Sequence, residues 1–598
     1  RNVEAASCRF ASRRTCGPQS RWKRQDAAST FSPYLQNISR VVRRPRIGKA
    51  GPIVLLVAAL IVFGAGCGGP HRGDSDMGEI LTEYGTQGPP EPGDWLMLNI
   101  PAEMPHLNPL TNSDYYATTV LDWIFDTLLD RDPVTMENLP NAAKGWEISD
   151  DHLVYTFHLR DDVKFSDGTP MTAADVKFSF DKVMDPKVDA PHLRNYFEDI
   201  TGCEEVDAHT VRFTCNKPYY RHLVMLGGLY IIPRHIYGKG DFNNHPNNRA
   251  PVGSGRYALE SWETGQRVTL ARNPHYWGAK EQDGPWFDKI VYAIITDETA
   301  AFQVLARGDL DFMSLRPELF IRRGNTPRFK EQFNRFAYSR PAYNYIGWNL
   351  RKPLFKDKQT RKALAMLLDR ELIRDEIYYG QAEIIEGNFM PGTPEHNNAL
   401  QPIPFDPEGA RALLAEAGWK DTDMDGILDR DGVAFRFDAA TTNQNPVAES
   451  VLTVFMEELA RVGIQLTLRP MEWASLIDRV DKREFDAILM GWSMPPDPDP
   501  YQVWHSSQVD AGSNYVGFVN EESDRLIEAA RVSFDQNERI ALYRRFQEIL
   551  HEEQPYLFLL APKVLAAGDK RLHGIRVYPF GIDQREWFVP KALQRYGG

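Results

Sequence analysis

The run HLVYTFHLRDDVKFSDGTPMTAADVKFSF, His152 to Phe180, holds a strand, a turn and a helix in direct succession. HLVYTFHLR alternates apolar and polar residues, the period of a half-buried strand. Asp167-Gly168 marks a turn, and Thr172 stands before Ala173 and Ala174 as the N-cap of a helix. Strands that pass through short turns into capped helices build α/β lobes, as opposed to helical bundles or sandwiches.

The same grammar extends in both directions. Upstream, WLMLNIP from Trp95 reads as a strand and YYATTVLDWIFDTLL as an amphipathic helix. Downstream, KIVYAIITDETAAFQVLARGDLDFM gives strand, helix, turn and strand. TRKALAMLLDRELIRDEIYYG is expected to form one long helix ended by Gly380, and AESVLTVFMEELARVG a helix that leads into the strand IQLTLRP. PYLFLLAPKVLAAGD is a buried run, and LHGIRVYPFG a strand that returns to an earlier sheet, so the first lobe should be discontinuous. At 598 residues the chain exceeds what one core supports, and two or three lobes are expected.

Charge divides the chain sharply. Residues 1–66 carry twelve Lys and Arg against Glu4 and Asp26, a charge of +10, which leaves −23 for everything after them. So acidic a body excludes nucleic acid as a partner. The basic segment ends in RRPRIGKAGPIVLLVAALIVFGAGCGG, whose apolar run is shorter than the roughly 20 residues of a spanning helix and closes on small residues. Residues 41–66 are therefore an export signal, and Cys67, after Gly64-Ala65-Gly66, resembles the lipidated cysteine of a bacterial lipobox. Residues 1–40, Arg- and Ser-rich without apolar periodicity, are expected to be an artefactual or disordered extension. Residues 67–94, rich in Gly and Pro, form a tether.

Cys8 and Cys16 lie in the extension, leaving Cys203 and Cys215 in CEEVDAHTVRFTC. Folded as a hairpin this segment sets the two nearly opposite one another, and an exported compartment permits the disulfide expected between them. Other chemistry finds little support. Asp421, Asp423, Asp425 and Asp429 in DTDMDGILDRDG occupy calcium-loop positions, but Gly432 stands where the bidentate glutamate belongs, so a solvated turn is the preferred reading. GxSxG, HExxH and P-loop motifs are absent. Asp497 and Asp499 are one residue apart, badly spaced for a general acid and base on opposite sides of a bond. The chain calls for no catalytic residue and no cofactor. Among the aromatics, Tyr115, Trp348 and Trp492 are flanked by Pro, Gly and Asp and are the candidates for exposed cleft walls.

The opening run resembles a signature of the family 5 extracellular solute-binding proteins, the oligopeptide- and dipeptide-binding components of ABC importers. Further similar pieces follow in family order: LNPL at Leu107, GSGRYAL at Gly253, RNPHYWG at Arg272, WNLRKPLFKDKQTRKALAMLLDRELI, FDPEGARALLAEAGW and DAILMGWSMPPDPDPYQVWHSSQ. The resemblance implies a type II periplasmic-binding-protein-like α/β fold of three lobes with an interlobe ligand cleft. Lobe I would comprise 95–131, 233–340 and 561–598, lobe II 132–232 and lobe III 341–560. It implies a monomeric, membrane-anchored protein of the periplasm or cell surface that captures a small peptide by closure and delivers it to an ABC permease. A non-peptide solute such as an oligosaccharide stays open as an alternative, with a secreted hydrolase behind it.

Carried onto these residues, the strand ending in Gly491, Trp492 and Ser493 pairs its backbone with an extended peptide. Ser113, Asp114 and Tyr115 supply an opposing strand, and Tyr345 and Trp348 line the cleft. Where the resemblance places an aspartate for the ligand's α-ammonium, three residues past Trp492, this sequence has Pro495. Asp497 or Asp499 would have to stand in, although Pro496, Pro498 and Pro500 stiffen the loop.

Overall fold

Trp95–Ile100, Lys289–Ile294, Arg267–Arg272 and Tyr257–Glu263 lie side by side in a seven-stranded sheet that continues on its other flank through Phe312–Ser314, Val564–Asp569 and Phe333–Tyr338. Leu96, Leu98 and Ile100 are buried and alternate with half-buried neighbours, as one strand face turned to a core requires. These strands come from widely separated stretches of chain, which makes the first lobe discontinuous. The computed structural model describes residues 82–84 and 89–597 apart from 282–283, 444, 496 and 511. The extension, the signal at 41–66, Cys8, Cys16, Cys67 and Pro496 lie outside the described residues. Among those described, no helix is long and apolar enough to cross a membrane.

Between Ile100 and Tyr257 the chain builds an antiparallel four-stranded sheet in the order Ala143–Ile148, Val154–Leu159, Thr210–Cys215, Ile200–Asp207. Helix Ala173–Met184 packs on it, and the expected cap is a full capping box, with Thr172 and Asp175 each bonding the other's backbone. Tyr155, Phe157, Val211 and Phe213 join Leu96, Leu98 and Ile290 in one continuous core, so this sheet leans on the first.

The remaining large sheet has five strands in the order Gln465–Met471, Arg436–Thr442, Ala487–Ser493, Ala342–Trp348, Tyr556–Phe558. Apolar cores cover both its faces. The chain enters it from the seven-stranded sheet through residues 339–341 and leaves it through residues 559–563. These two short crossovers run side by side, since Tyr338 pairs with Val564 where they begin. Any rotation of one sheet against the other has to be absorbed there.

Three expectations are corrected. Cys203 and Cys215 are both free thiols. Strand register pairs Cys203 with Phe213 and Cys215 with Ile200, which leaves the sulfurs on a diagonal too long for a disulfide; burial pushes each thiol up to about 12. The long helix ending at Gly380 is broken after Met366, because the Asp369 carboxylate caps a new turn at Leu372 N–H. The tether also stops early. Thr82–Tyr84 pairs with Ile575–Tyr578, and Asp94, 1% exposed, is bound to Arg571 together with Asp311.

Candidate ligand cleft and interlobe seam

Strand Ala487–Ser493 runs antiparallel to Ala342–Trp348, with Trp492 opposite Tyr343 and Gly491 opposite Asn344. On its other side Arg436–Thr442 pairs only at Ala487 and Ile488. Met494 N–H donates to the Pro341 carbonyl at 2.7 Å, so by strand alternation Trp492 also points its main chain inward and Gly491 and Ser493 point theirs outward. Thr441 Oγ1 donates to the Leu489 carbonyl on that outer side, which fits the same alternation. Gly491 and Ser493 are exposed and form an open strand edge of the kind an extended chain can join. Glycine at 491 has a local cause: a Cβ would sit 2.7 Å from Asn344 Oδ1 and 2.9 Å from the Tyr343 carbonyl. Asn344 is held there by its bond to the Tyr378 hydroxyl.

Trp492 is half-buried between the rings of Tyr345 and Tyr515, near parallel at 6.4 and 6.1 Å, and its Nε1 donates to the Tyr556 hydroxyl. Tyr345 is fully buried and stacks on Tyr556 at 3.8 Å, so it supports the tryptophan from beneath. Trp348 is corrected from cleft wall to core. It is three residues from Tyr345, hence on the opposite sheet face, enclosed by Phe355 and Phe437. Ser113, Asp114 and Tyr115 are not an opposing strand either. Tyr115 opens helix Tyr115–Ile124, whose N-cap is the Asp114 carboxylate accepting from Ala117 N–H, while Ser113 is exposed. The Tyr115 ring, 64% exposed, still projects from that helix start.

The Pro-Asp loop performs a different task from the one expected of it. Asp497 pairs with Arg131 at 2.6 Å, across from the hairpin Leu129–Arg131 and Asn138–Pro140. Asp499 accepts from the Tyr219 hydroxyl at 2.6 Å and meets Arg531 at 3.1 Å, and the Pro498 carbonyl accepts from the Tyr220 hydroxyl at 2.6 Å. Tyr196 donates to Gln502, Tyr220 N–H to the Arg531 carbonyl, and His152 stacks on Phe534 at 3.6 Å. Each contact joins the four-stranded sheet's region or the Leu129–Arg131 hairpin to the region of the five-stranded sheet. Asp497 and Asp499 are thus occupied by this chain's own groups, and the loop is a seam between lobes. Tyr219, Tyr220 and Arg531 were not foreseen, although PYYR after Lys217 has the Pro-flanked aromatics that mark a loop contact.

The Asp122 carboxylate, on helix Tyr115–Ile124, accepts from the Tyr230 hydroxyl. Asp122 is exposed yet held above the usual carboxylate range, because the protein around it desolvates it by more than the Tyr230 hydroxyl and Arg585 offset. Nearby Arg585 is bound to Asp130 and Asp583. The calcium-loop residues behave as a turn: Asp421, Asp423 and Asp425 converge, but Asp425 is taken by Arg436 at 2.7 Å and Asp429 by Thr422.

An open strand edge at Gly491 and Ser493 thus stands beside the paired crossovers, with the Pro-Asp loop bonded across to the four-stranded sheet's region. Residues 138–514 match the bacterial extracellular solute-binding proteins, family 5 Middle. The chain belongs to that family. Members of family 5 bind solutes outside the cytoplasm and are not enzymes as a family. Among its relatives, the oligopeptide-binding protein AppA of Bacillus subtilis is 30% identical over 90% of this chain and 98% of its own length. Di/tripeptide-binding protein 2 of Pseudomonas aeruginosa is 28% identical over 76% of this chain and 87% of its own. The structure of Bacillus subtilis AppA in complex with a nonapeptide superposes with a TM-score of 0.75 at 29% identity, covering 84% of this chain and all of that one.

Proposed function

We propose that the protein is the peptide-capturing component of an ABC importer, anchored through Cys67 and handing its ligand to a membrane permease. The observation that carries this is the open outer edge at Gly491 and Ser493 beside the half-buried Trp492. Main-chain groups displayed along a strand edge recognise what every peptide has in common and leave its side chains free. An oligosaccharide offers no matching ladder of N–H and C=O groups. The relatives whose names specify peptides support the same reading. In this reading the chain forms three lobes, with 95–131, 233–340 and 561–598 in lobe I, 132–232 in lobe II and 341–560 in lobe III. With Asp497 and Asp499 engaged in the seam, neither is the acid that receives a positive group of the ligand.

Native mass spectrometry of freshly purified protein, followed by denaturation and sequencing of what is released, is the direct test. Released peptides are the expected result; a retained sugar, or stabilisation by sugars and by no peptide, rejects the reading. Trp492→Ala should weaken peptide binding without unfolding the protein, and an unchanged affinity removes that residue from the site. Labelling with radioactive palmitate in a bacterial host tests the anchor, and loss of label in Cys67→Ala is expected.

A further inference from the structure

Everything after residue 66 sums to −23, yet residues 316–340 hold seven Lys and Arg against Glu318 and Glu331, a local charge of +5. They fold as the helical turn Leu319–Arg323, helix Pro327–Gln332 and Phe333–Tyr338, the edge strand of the seven-stranded sheet. The C-terminal segment brings more cations to the same place. Lys570 Nζ donates to the Lys330 carbonyl at 2.6 Å, Lys570 N–H donates to the Gln332 carbonyl, and Arg595 donates to Asp569 and to the Gly308 carbonyl. An open hollow of about 460 Å³ is lined by Gln332, Lys570, Leu593 and Arg595, with Glu331 and Asp569 as its acids.

Most of these positive groups are not consumed by the fold. Arg307 and Arg595 are paired, with Asp309 and Asp569. Arg323, Arg328, Lys330, Lys570 and Lys591 are exposed, and among the described residues none of them has a carboxylate in ion-pair range. The acids left to face them are Glu331 and Glu91, and the Glu91 carboxylate accepts from the Lys591 N–H. Free cations outnumber free acids on this face of an otherwise acidic body.

The tether joins the fold at the same face. Besides Glu91, the Pro92 carbonyl accepts from Gln594, Asp94 accepts from the N–H groups of Arg595 and Tyr596, and Trp95 stacks on Tyr596 at 5.2 Å. Upstream, Thr82 pairs with Val577, and 14 residues lie between Cys67 and Thr82. Fully extended, that stretch reaches about 50 Å at most. A lipid on Cys67 therefore keeps this end of the molecule close to the bilayer.

We propose that this basic face docks on the anionic lipid headgroups of the membrane to which the chain is tethered. The inference takes its geometry from the Cys67 anchor of the proposed function, while its charge complementarity is independent of it. An anionic bilayer attracts each Lys or Arg that comes within about a Debye length of its surface. The acidic remainder of the body is repelled by the same surface, which turns the basic end toward it.

Full-length protein extracted from bacterial membranes is reconstituted on vesicles of phosphatidylcholine alone or mixed with phosphatidylglycerol, and its exposed amines are acetylated and mapped by mass spectrometry. Lys330, Lys570 and Lys591 should be labelled about fivefold less on the phosphatidylglycerol vesicles, the factor one basic residue near such a surface gives. Lys144 and Lys217, exposed in the four-stranded sheet's region, should be labelled equally on both. Added salt should erase the difference. The double variant Arg323→Glu, Arg328→Glu, which removes two exposed cations and keeps the lysines as probes, should erase it too. Equal labelling on both vesicles overturns the docking surface and leaves the anchor standing; if a salt-sensitive dimer appears in sedimentation as well, the face belongs to the acidic body of a second copy. Protein retained by neither vesicle at high salt refutes the anchor instead. Such unanchored protein should still sediment with phosphatidylglycerol vesicles at low salt, and failure to do so overturns the docking surface as well.

Discussion

Asp499→Asn separates closure from folding. Asp499 keeps 6% of its side-chain surface and Arg531 keeps 18%, so the pair is largely withdrawn from water. Removing one partner of a fully buried pair costs about 3–5 kcal/mol, because the other charge is left uncompensated. Here asparagine can still accept the Tyr219 hydroxyl bond, 2.6 Å in the parent, and Arg531 keeps some solvent. A loss of about 2–3 kcal/mol follows for the closed arrangement alone, roughly 30- to 150-fold in its equilibrium with the open one. Apparent affinity scales with the fraction of competent molecules, so Kd for a retained peptide should rise by up to that factor where closed molecules are the minority before binding. Calorimetry measures Kd, and small-angle X-ray scattering at fixed ligand concentration should show a larger radius of gyration in the variant. The reasoning is refuted by a Kd within about threefold of wild type, given the factor expected. It is refuted equally by a fall in ligand-free stability as large as the loss of binding, which would assign Asp499 to the fold.

Gly491→Ala should lower stability by about 1–3 kcal/mol in denaturant titration, since its Cβ meets Asn344 Oδ1 at 2.7 Å and the Tyr343 carbonyl at 2.9 Å; an unchanged midpoint shows that the edge has room. Asp126 is raised from 3.8 to about 6 by burial, which outweighs its bonds to Ser254 and Trp277. An acid with a raised folded pKa binds its proton more tightly in the native state, so its contribution to stability falls as pH climbs through that interval, by roughly 3 kcal/mol in all. Asp126→Asn should therefore gain on wild type between pH 4 and pH 7, and a difference in melting temperature that does not vary with pH refutes the assignment. Calcium or its chelation should leave the melting temperature unmoved, because Arg436 occupies Asp425; a rise with calcium would restore the metal reading.

Local pattern carried the elements well. Alternation in VYTFHL and the Thr172 cap depend on neighbours a few residues away, and each formed where the pattern placed it. The long helix failed for a reason equally local, since Asp369 competes for the backbone of its own turn. Trp348 was also within reach of the sequence, because its odd spacing from Tyr345 puts it on the far face of any strand that displays Tyr345. Strand register was not. The offset that sets Cys203 opposite Phe213 comes from bulges on Ile200–Asp207, which shift pairing without leaving a mark in composition.

By itself the sequence determined an exported α/β binder with a split first lobe, because hydrophobic period, capping and the order of motifs are properties of the chain. Tertiary structure alone decided what the charged groups do. Asp497 and Asp499 looked like acids for a ligand, and the fold brings Arg131, Tyr219 and Arg531 to them from distant stretches of chain. A charge acts on whatever lies within a few ångströms of it, and which groups those are is settled by packing and not by order along the chain.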